Sequence, residues 1–266
     1  MRKDFLEGIE IIYEDRDILV IDKPPRLLTM ASATEREKTA YHILTDYVRK
    51  GCAKSHKRIF IVHRLDRDTS GIVIFAKTEA AKKCLQTQWD KTEKKYLAVV
   101  YGKLPVKSGA ITSYLAENAA HVVYSTKDGS KGKLSTTAYK VLKETRDFSV
   151  LEIDLVTGRK NQIRVHFAEN GHPVVGDAKY GKKDDIHKRM ALFARSISFL
   201  HPWNGRRMLL EAKIPTYLAG LVGAINRGRV TLACLPAGKQ IAGRQGHSAS
   251  NSPCSPISDV QSGSFL

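Results

Sequence analysis

Between Phe60 and Ala76 the chain passes from apolar residues (Phe60, Ile61, Val62) through the polar segment HRLDRDTSG, residues 63–71, and back into Ile72, Val73, Ile74, Phe75 and Ala76. Apolar runs of this length predict two buried β-strands with a short crossing between them. The strands hold the crossing against the core, and with it two arginines, two carboxylates, a histidine and two hydroxyls. Charge crowded near a core is costly unless it is paired or used, so this crossing is the first place to look for chemistry.

The flanking sequence supplies the support. Ile9–Ile12 and Ile18–Ile21, separated by Glu-Asp-Arg-Asp, predict a hairpin that ends at Pro24-Pro25. Apolar spacing over Arg36–Lys50 predicts a helix with one buried face, closed by Gly51, and Thr78 can cap a second helix through about Asp90. On that second helix Trp89 lies on the apolar stripe, which favours a core anchor over a base-stacking role. From Lys95 to Val156 strands at Tyr96–Val100, Ala110–Leu115, His121–Ser125, Ser135–Leu142 and Phe148–Val156 alternate with turns and predict antiparallel sheet. The basic tip Lys127–Gly132 reads as a mobile hairpin loop, with a grip on phosphates as the alternative. A helix over Asn161–Asn170, a hairpin from Met190 to Ile214 and a short helix at Leu218–Ile225 follow. Residues 226–266 hold seven Ser and five Gly with one aromatic and no periodicity, so a disordered tail is expected after a domain spanning 1–225.

Lys and Arg exceed Asp and Glu by 44 to 27, a formal +17 that calls for a polyanionic partner, nucleic acid first. No apolar run approaches the ~18 residues of a membrane span, and the N-terminus lacks a secretory h-region, so a cytoplasmic protein without a membrane partner is expected. Neither the cysteines nor the histidines show metal-ligand spacing, and no metal or cofactor is expected.

HRLDRDTSG resembles the signature of the RluA-type pseudouridine synthases. Three further stretches agree in order: KYLAVVYG at 95–102, TGRKNQIRVH at 157–166 and GHPVVGDAKYG at 171–181. The resemblance covers roughly the first 215 residues, without the small S4-type RNA-binding module that often precedes this domain. It implies an α+β pseudouridine synthase fold, a mixed and largely antiparallel central sheet flanked by helices and loops. It implies isomerisation of uridine in structured ribosomal or transfer RNA; a monomer is expected. By the same resemblance Asp66 is the catalytic carboxylate, Arg164 its basic partner and Tyr96 the tyrosine against the target base. Arg64 would fill the gap left by the extruded nucleotide, and His63, Arg67, Arg159 and Gln162 join it as substrate-binding candidates; for His63 and Arg67 a purely scaffolding role stands beside the substrate contact. The chain departs from the pattern at Arg26, where a Gly is common, and at Lys160, Asn161 and Phe193; none of these last three is expected to touch Asp66, Tyr96 or Arg164.

Two other functions compete. A glycoside hydrolase would use Asp66 and Asp68 as its pair of acids, but a neutral sugar gives no reason for +17. A non-catalytic RNA-binding protein on the same fold would not need Asp66, Tyr96 and Arg164 together.

Overall fold

The computed structural model describes residues 5–6, 8–32, 35–52, 54–181, 186–222 and 233–234. The expected α+β architecture is present. Strands β1 (Phe5–Leu6), β2 (Ile9–Glu14) and β3 (Ile18–Lys23) precede helix α1 (Ala40–Arg49), which is followed by β4 (Phe60–Ile61) and β5 (Ser70–Ala76). Helix α2 (Glu79–Thr87) and a 3-10 turn (Trp89–Lys91) lead into β6 (Glu93–Tyr101), β7 (Ser108–Glu117), β8 (Val123–Thr126), β9 (Lys133–Glu144) and β10 (Phe148–Leu155). Helix α3 (Gln162–Glu169), β11 (Leu192–Leu200), β12 (Arg207–Glu211), α4 (Thr216–Val222) and β13 (Ala233–Cys234) complete the described chain.

The described strands join one sheet in the order β1-β2-β3-β5-β11-β6-β10-β9-β7-β8, with β4 on β5, β12 on β11 and β13 on β12. Among the described strands every pairing is antiparallel except β5 with β11, which meet at Ser70↔Phe193 and Gly71↔Ala194 alone. Both faces of the central strands are covered. Ile18, Val20, Ile72, Ile74, Leu97 and Val99 pack on one side with α2 and α4 residues Ala81, Leu85 and Leu218. Leu19, Ile21, Val73, Phe75, Ala98 and Val100 pack on the other with α1 and α3 residues Leu44, Ile163 and Phe167. Two buried faces explain why β3, β5 and β6 read as continuous apolar runs and not as alternating ones.

Several boundaries differ from the sequence expectation. The first strand flanking the crossing shrinks to the half-buried pair Phe60–Ile61. Helix α1 starts at Ala40, where the Thr39 hydroxyl accepts the His42 N–H at 3.1 Å, because the preceding turn is held by Glu35, whose carboxylate accepts the amides of Glu37 and Lys38. Its C-terminus turns left-handed at Lys50 (φ 51) and again at the expected Gly51 (φ 71). Thr78 caps α2 as expected, accepting the Ala81 N–H. Most of residues 226–266 lies outside the described residues. Within that segment Ala233 and Cys234 pair with Leu209 and Met208, an order the composition gave no sign of.

Candidate active site

The crossing at 63–71 is pinned from several directions. The Thr29 hydroxyl donates to the Leu65 carbonyl at 2.9 Å and accepts the Leu65 N–H at 3.2 Å. Lys23, fully buried, donates its ammonium to the carbonyls of Pro24, Leu27 and Arg67. Burial lowers its pKa to about 7 against the charges of Asp68, Asp66 and Asp22. Gly71, at φ 115, enters β5 where an added Cβ would lie 2.3 Å from the Ala194 carbonyl oxygen, so no side chain fits. His63 takes over the strand ladder: its Nε2 accepts the Ile74 N–H at 3.0 Å. Burial, with the Lys94 charge, holds its pKa at about 3, which keeps it a neutral acceptor.

This framework places Asp66 over a cavity of about 280 Å³, lined also by His63, Arg64, Trp89, Lys94, Tyr96, Arg159, Gln162 and Arg164. Opposite Asp66 stands α3. Asn161 adopts the left-handed conformation (φ 54), which Asn tolerates better than most residues, and so turns the chain sharply into the helix. Arg164 is then aimed at two carboxylates. Its Nε and Nη2 form a two-pronged contact with Asp177, both at 2.7 Å. Its Nη1 reaches the Asn161 side-chain oxygen at 3.0 Å and Asp66 Oδ2 at 3.3 Å.

The two acids differ in exposure. The Asp177 side chain is 0% exposed and that of Asp66 20%. Burial works to raise the Asp177 carboxyl, but the Arg164 fork and the amides of Tyr180 and Lys179 outweigh it and hold its pKa below the usual range. Burial lowers the Arg164 pKa, yet Asp177 and then Asp66 more than compensate, so the guanidinium is raised and permanently charged. Asp66 Oδ1 has no hydrogen-bond partner among the described residues. One oxygen of Asp66 is therefore tied by a single long bond to a fixed cation while the other faces the cavity, an arrangement suited to a nucleophile or base. Burial, then the Asp66 charge, raises the Tyr96 pKa, which keeps its phenol neutral.

The remaining expected residues divide. Arg64 and Arg159 are exposed at the cavity wall. Gln162 also lines it, but its amide is fully engaged: its oxygen accepts from Thr157 and the Arg159 N–H, and its nitrogen donates to Thr136 and Thr137. Gln162 is thus a brace for the TGR turn and not a free substrate contact. Arg67 is absent from the cavity lining, pairing with Asp68 at 3.3 Å on the wall of another recess. The expectation that none of the departures touches the key residues fails for Asn161, which binds Arg164 directly. Phe193 is buried in the core and Lys160 pairs with Glu117. Asp177 was within a quoted motif yet went unassigned, because only the fold brings it to Arg164. Trp89 is not simply core: it lines the cavity, its ring 4.7 Å from that of His63, with the Lys94 ammonium 5.2 Å from its centroid. One cluster outside the cavity, Asp15, Asp17 and His201, resembles a metal site in composition. The Asp15 carboxylate, however, is filled by the amides of Asp17 and Ile18, the Tyr13 hydroxyl and His201.

Residues 17–169 match the family model for RNA pseudouridylate synthase. The uncharacterized RNA pseudouridine synthase YhcT of Bacillus subtilis is 32% identical over 220 residues, covering 80% of this chain and 71% of that protein. The ribosomal large subunit pseudouridine synthase D of Zymomonas mobilis is 31% identical over 226 residues, covering 78% and 69%. Among solved structures, human RNA pseudouridylate synthase domain containing 1 superposes with a TM-score of 0.66 over 90% of this chain and 94% of that one, at 24% identity, a likeness of fold.

Proposed function

The chain belongs to the RNA pseudouridylate synthase family and is an isomerase of uridine in RNA; from that premise we propose that Asp66 is its catalytic carboxylate, with Arg164 and Tyr96 as partners. The observation that carries the proposal is the division of labour around Arg164, clamped on a sealed Asp177 and offering Nη1 to an Asp66 open to the cavity. The reaction breaks the bond from ribose C1′ to N1, turns the uracil, and bonds C5 to C1′, with the C5 proton leaving and one returning to N1. Every atom class and the redox level are conserved, so no cofactor is required. An ionised carboxylate drives this by attack at C1′, by addition to the base or by removal of a ribose proton, and each route needs its charge. Arg164 keeps that charge. Tyr96, neutral and on the cavity lining, supports the uracil ring as it turns, and Trp89 with His63 forms an adjoining aromatic wall.

The substrate in this reading is a uridine in structured ribosomal or transfer RNA, with the name of the Zymomonas relative and the +17 charge in support. The target nucleotide must leave its stack to enter a cavity of this size, and Arg64, exposed at the wall, is suited to occupy the gap. A catalytic unit within residues 1–225, acting as a cytoplasmic monomer, completes the proposal. The test is Asp66→Asn, which keeps shape and removes charge. Release of C5 tritium from labelled RNA should fall at least ~10³-fold, as expected when an essential nucleophile or base is lost, while filter binding of the RNA survives. Near-normal tritium release would reject Asp66 as the catalytic group.

A further inference from the structure

Arg164 lines a second, smaller recess as well, about 160 Å³ in volume and walled by Arg26, Arg67, Asp68, Lys188 and Arg189. Its charge is lopsided. Asp68 is engaged by Arg67, and Arg164 is committed to Asp177 and Asp66. Arg26, Lys188 and Arg189 have no carboxylate partner among the described residues. The Arg189 guanidinium rests 5.7 Å from the Tyr217 ring centroid, and Arg26 donates from Nη2 to the Lys188 carbonyl at 3.3 Å, closing the rim across 162 residues of chain.

Arg26 occupies this position against its own backbone preference. Its φ of 68 is in the left-handed region, which L residues with a long side chain rarely adopt. Unlike Asn161, it has no short amide to offset the cost locally. A long cation held at a strained turn, on the rim of a recess with unmatched positive charge, is a device for holding an anion.

We propose that this recess is a phosphate subsite that grips the RNA backbone next to the target uridine, with Arg26, Lys188 and Arg189 as its ligands. The inference rests on the reading that the adjoining cavity receives that uridine. The recess is smaller than the adjoining cavity, about 160 against about 280 Å³, and its lining offers cations for a phosphodiester and no aromatic wall for a base. A nucleotide whose base enters the cavity carries a phosphate on each side, and the shared wall at Arg164 puts the recess within reach of one of them. Such a contact fixes the strand's register without reading sequence.

The test uses Arg26→Gly, which relieves the left-handed backbone and so should melt no lower than wild type, and Lys188→Ala at an exposed position. The probe is a fluorescein-labelled RNA hairpin with uridines in its loop. Each variant should weaken binding by about 3- to 10-fold and reduce the slope of log Kd against log salt by about 0.7 to 0.9. Unchanged affinity and slope in both variants would overturn the subsite. So would variants that lose competition by inorganic phosphate but keep full RNA affinity, which would mark a free-anion site. If wild-type protein released no tritium from any RNA, the catalytic reading would fall; weakened RNA binding in the variants would still support a backbone contact here.

Discussion

Asp66 and Asp177 share one arginine, yet substitution should separate them. Asp177→Asn removes a carboxylate sealed from solvent and leaves Arg164 with half of its fork unmatched. Breaking a buried pair of this kind costs about 3–5 kcal/mol, so both melting temperature and tritium release should fall. Asp66→Asn should lose activity with a much smaller change in melting temperature, since that side chain faces the cavity; equal destabilisation by the two would argue that Asp66 is structural. Asp22 makes a prediction of a different kind. Burial, then the like charge of Glu10 across the β2–β3 ladder, raises its pKa to about 7, opposed by Lys23 and the Gly71 amide. A carboxyl whose folded pKa exceeds its unfolded value of 3.8 favours folding at low pH, and that contribution disappears as pH rises through about 7. Asp22→Asn should therefore stabilise the protein by about 1–3 kcal/mol near pH 8 and change little near pH 4. Melting curves at the two pH values, without the expected divergence, would count against a strained Asp22.

Among the elements, β5 carries the tightest constraint. Gly71→Ala sets a methyl against the Ala194 backbone and forces an unfavourable φ, so either the β5–β11 contact opens or the crossing shifts. A loss of at least ~2 kcal/mol is expected in denaturant unfolding, together with lowered activity. An Ala variant with wild-type stability would mean that the two strands part at little cost. The elements also show where sequence reading stops. Strands β3, β5, β6 and β10, the apolar stripe of α1 and the Thr78 cap of α2 were legible because apolar runs and caps are local signals; the Thr39 cap that starts α1 went unread. That Asp66, Tyr96 and Arg164 would share one cavity was legible too, through their motifs. The partners of those residues were not: Thr29 reaches Leu65 and Lys23 reaches Arg67 across 36 and 44 residues, and nothing local marks either contact. Trp89 was read as core because its helical stripe is apolar, but α2 ends at Thr87 and the 3-10 turn redirects the ring to the cavity. Gln162 and Arg67 share a motif with site residues without sharing their free surface.

For the molecule as a whole, the +17 charge should make RNA affinity fall steeply with salt. Each phosphate contact contributes about 0.7 to 0.9 to the slope of log K against log salt. A filter-binding titration with a slope near zero would contradict a substrate held through its backbone.

The β5–β11 contact has a consequence for how activity arises during folding. It joins the strands contributed by the first 76 residues to those contributed by residues 93 onward through only two parallel residue pairs. Asp66 belongs to the first group, whereas Tyr96, Arg164 and Asp177 belong to the second. Arg164 and Asp177 are 13 residues apart and can find each other while the second group is still forming; Asp66 is 98 residues from Arg164 and meets it only when the two groups dock. Contacts of such long range form late, because the loop they close must be ordered first. A refolding chain should accordingly recover its circular dichroism before its power to release tritium, with a catalytically silent species in between that already holds its arginine charged and waiting.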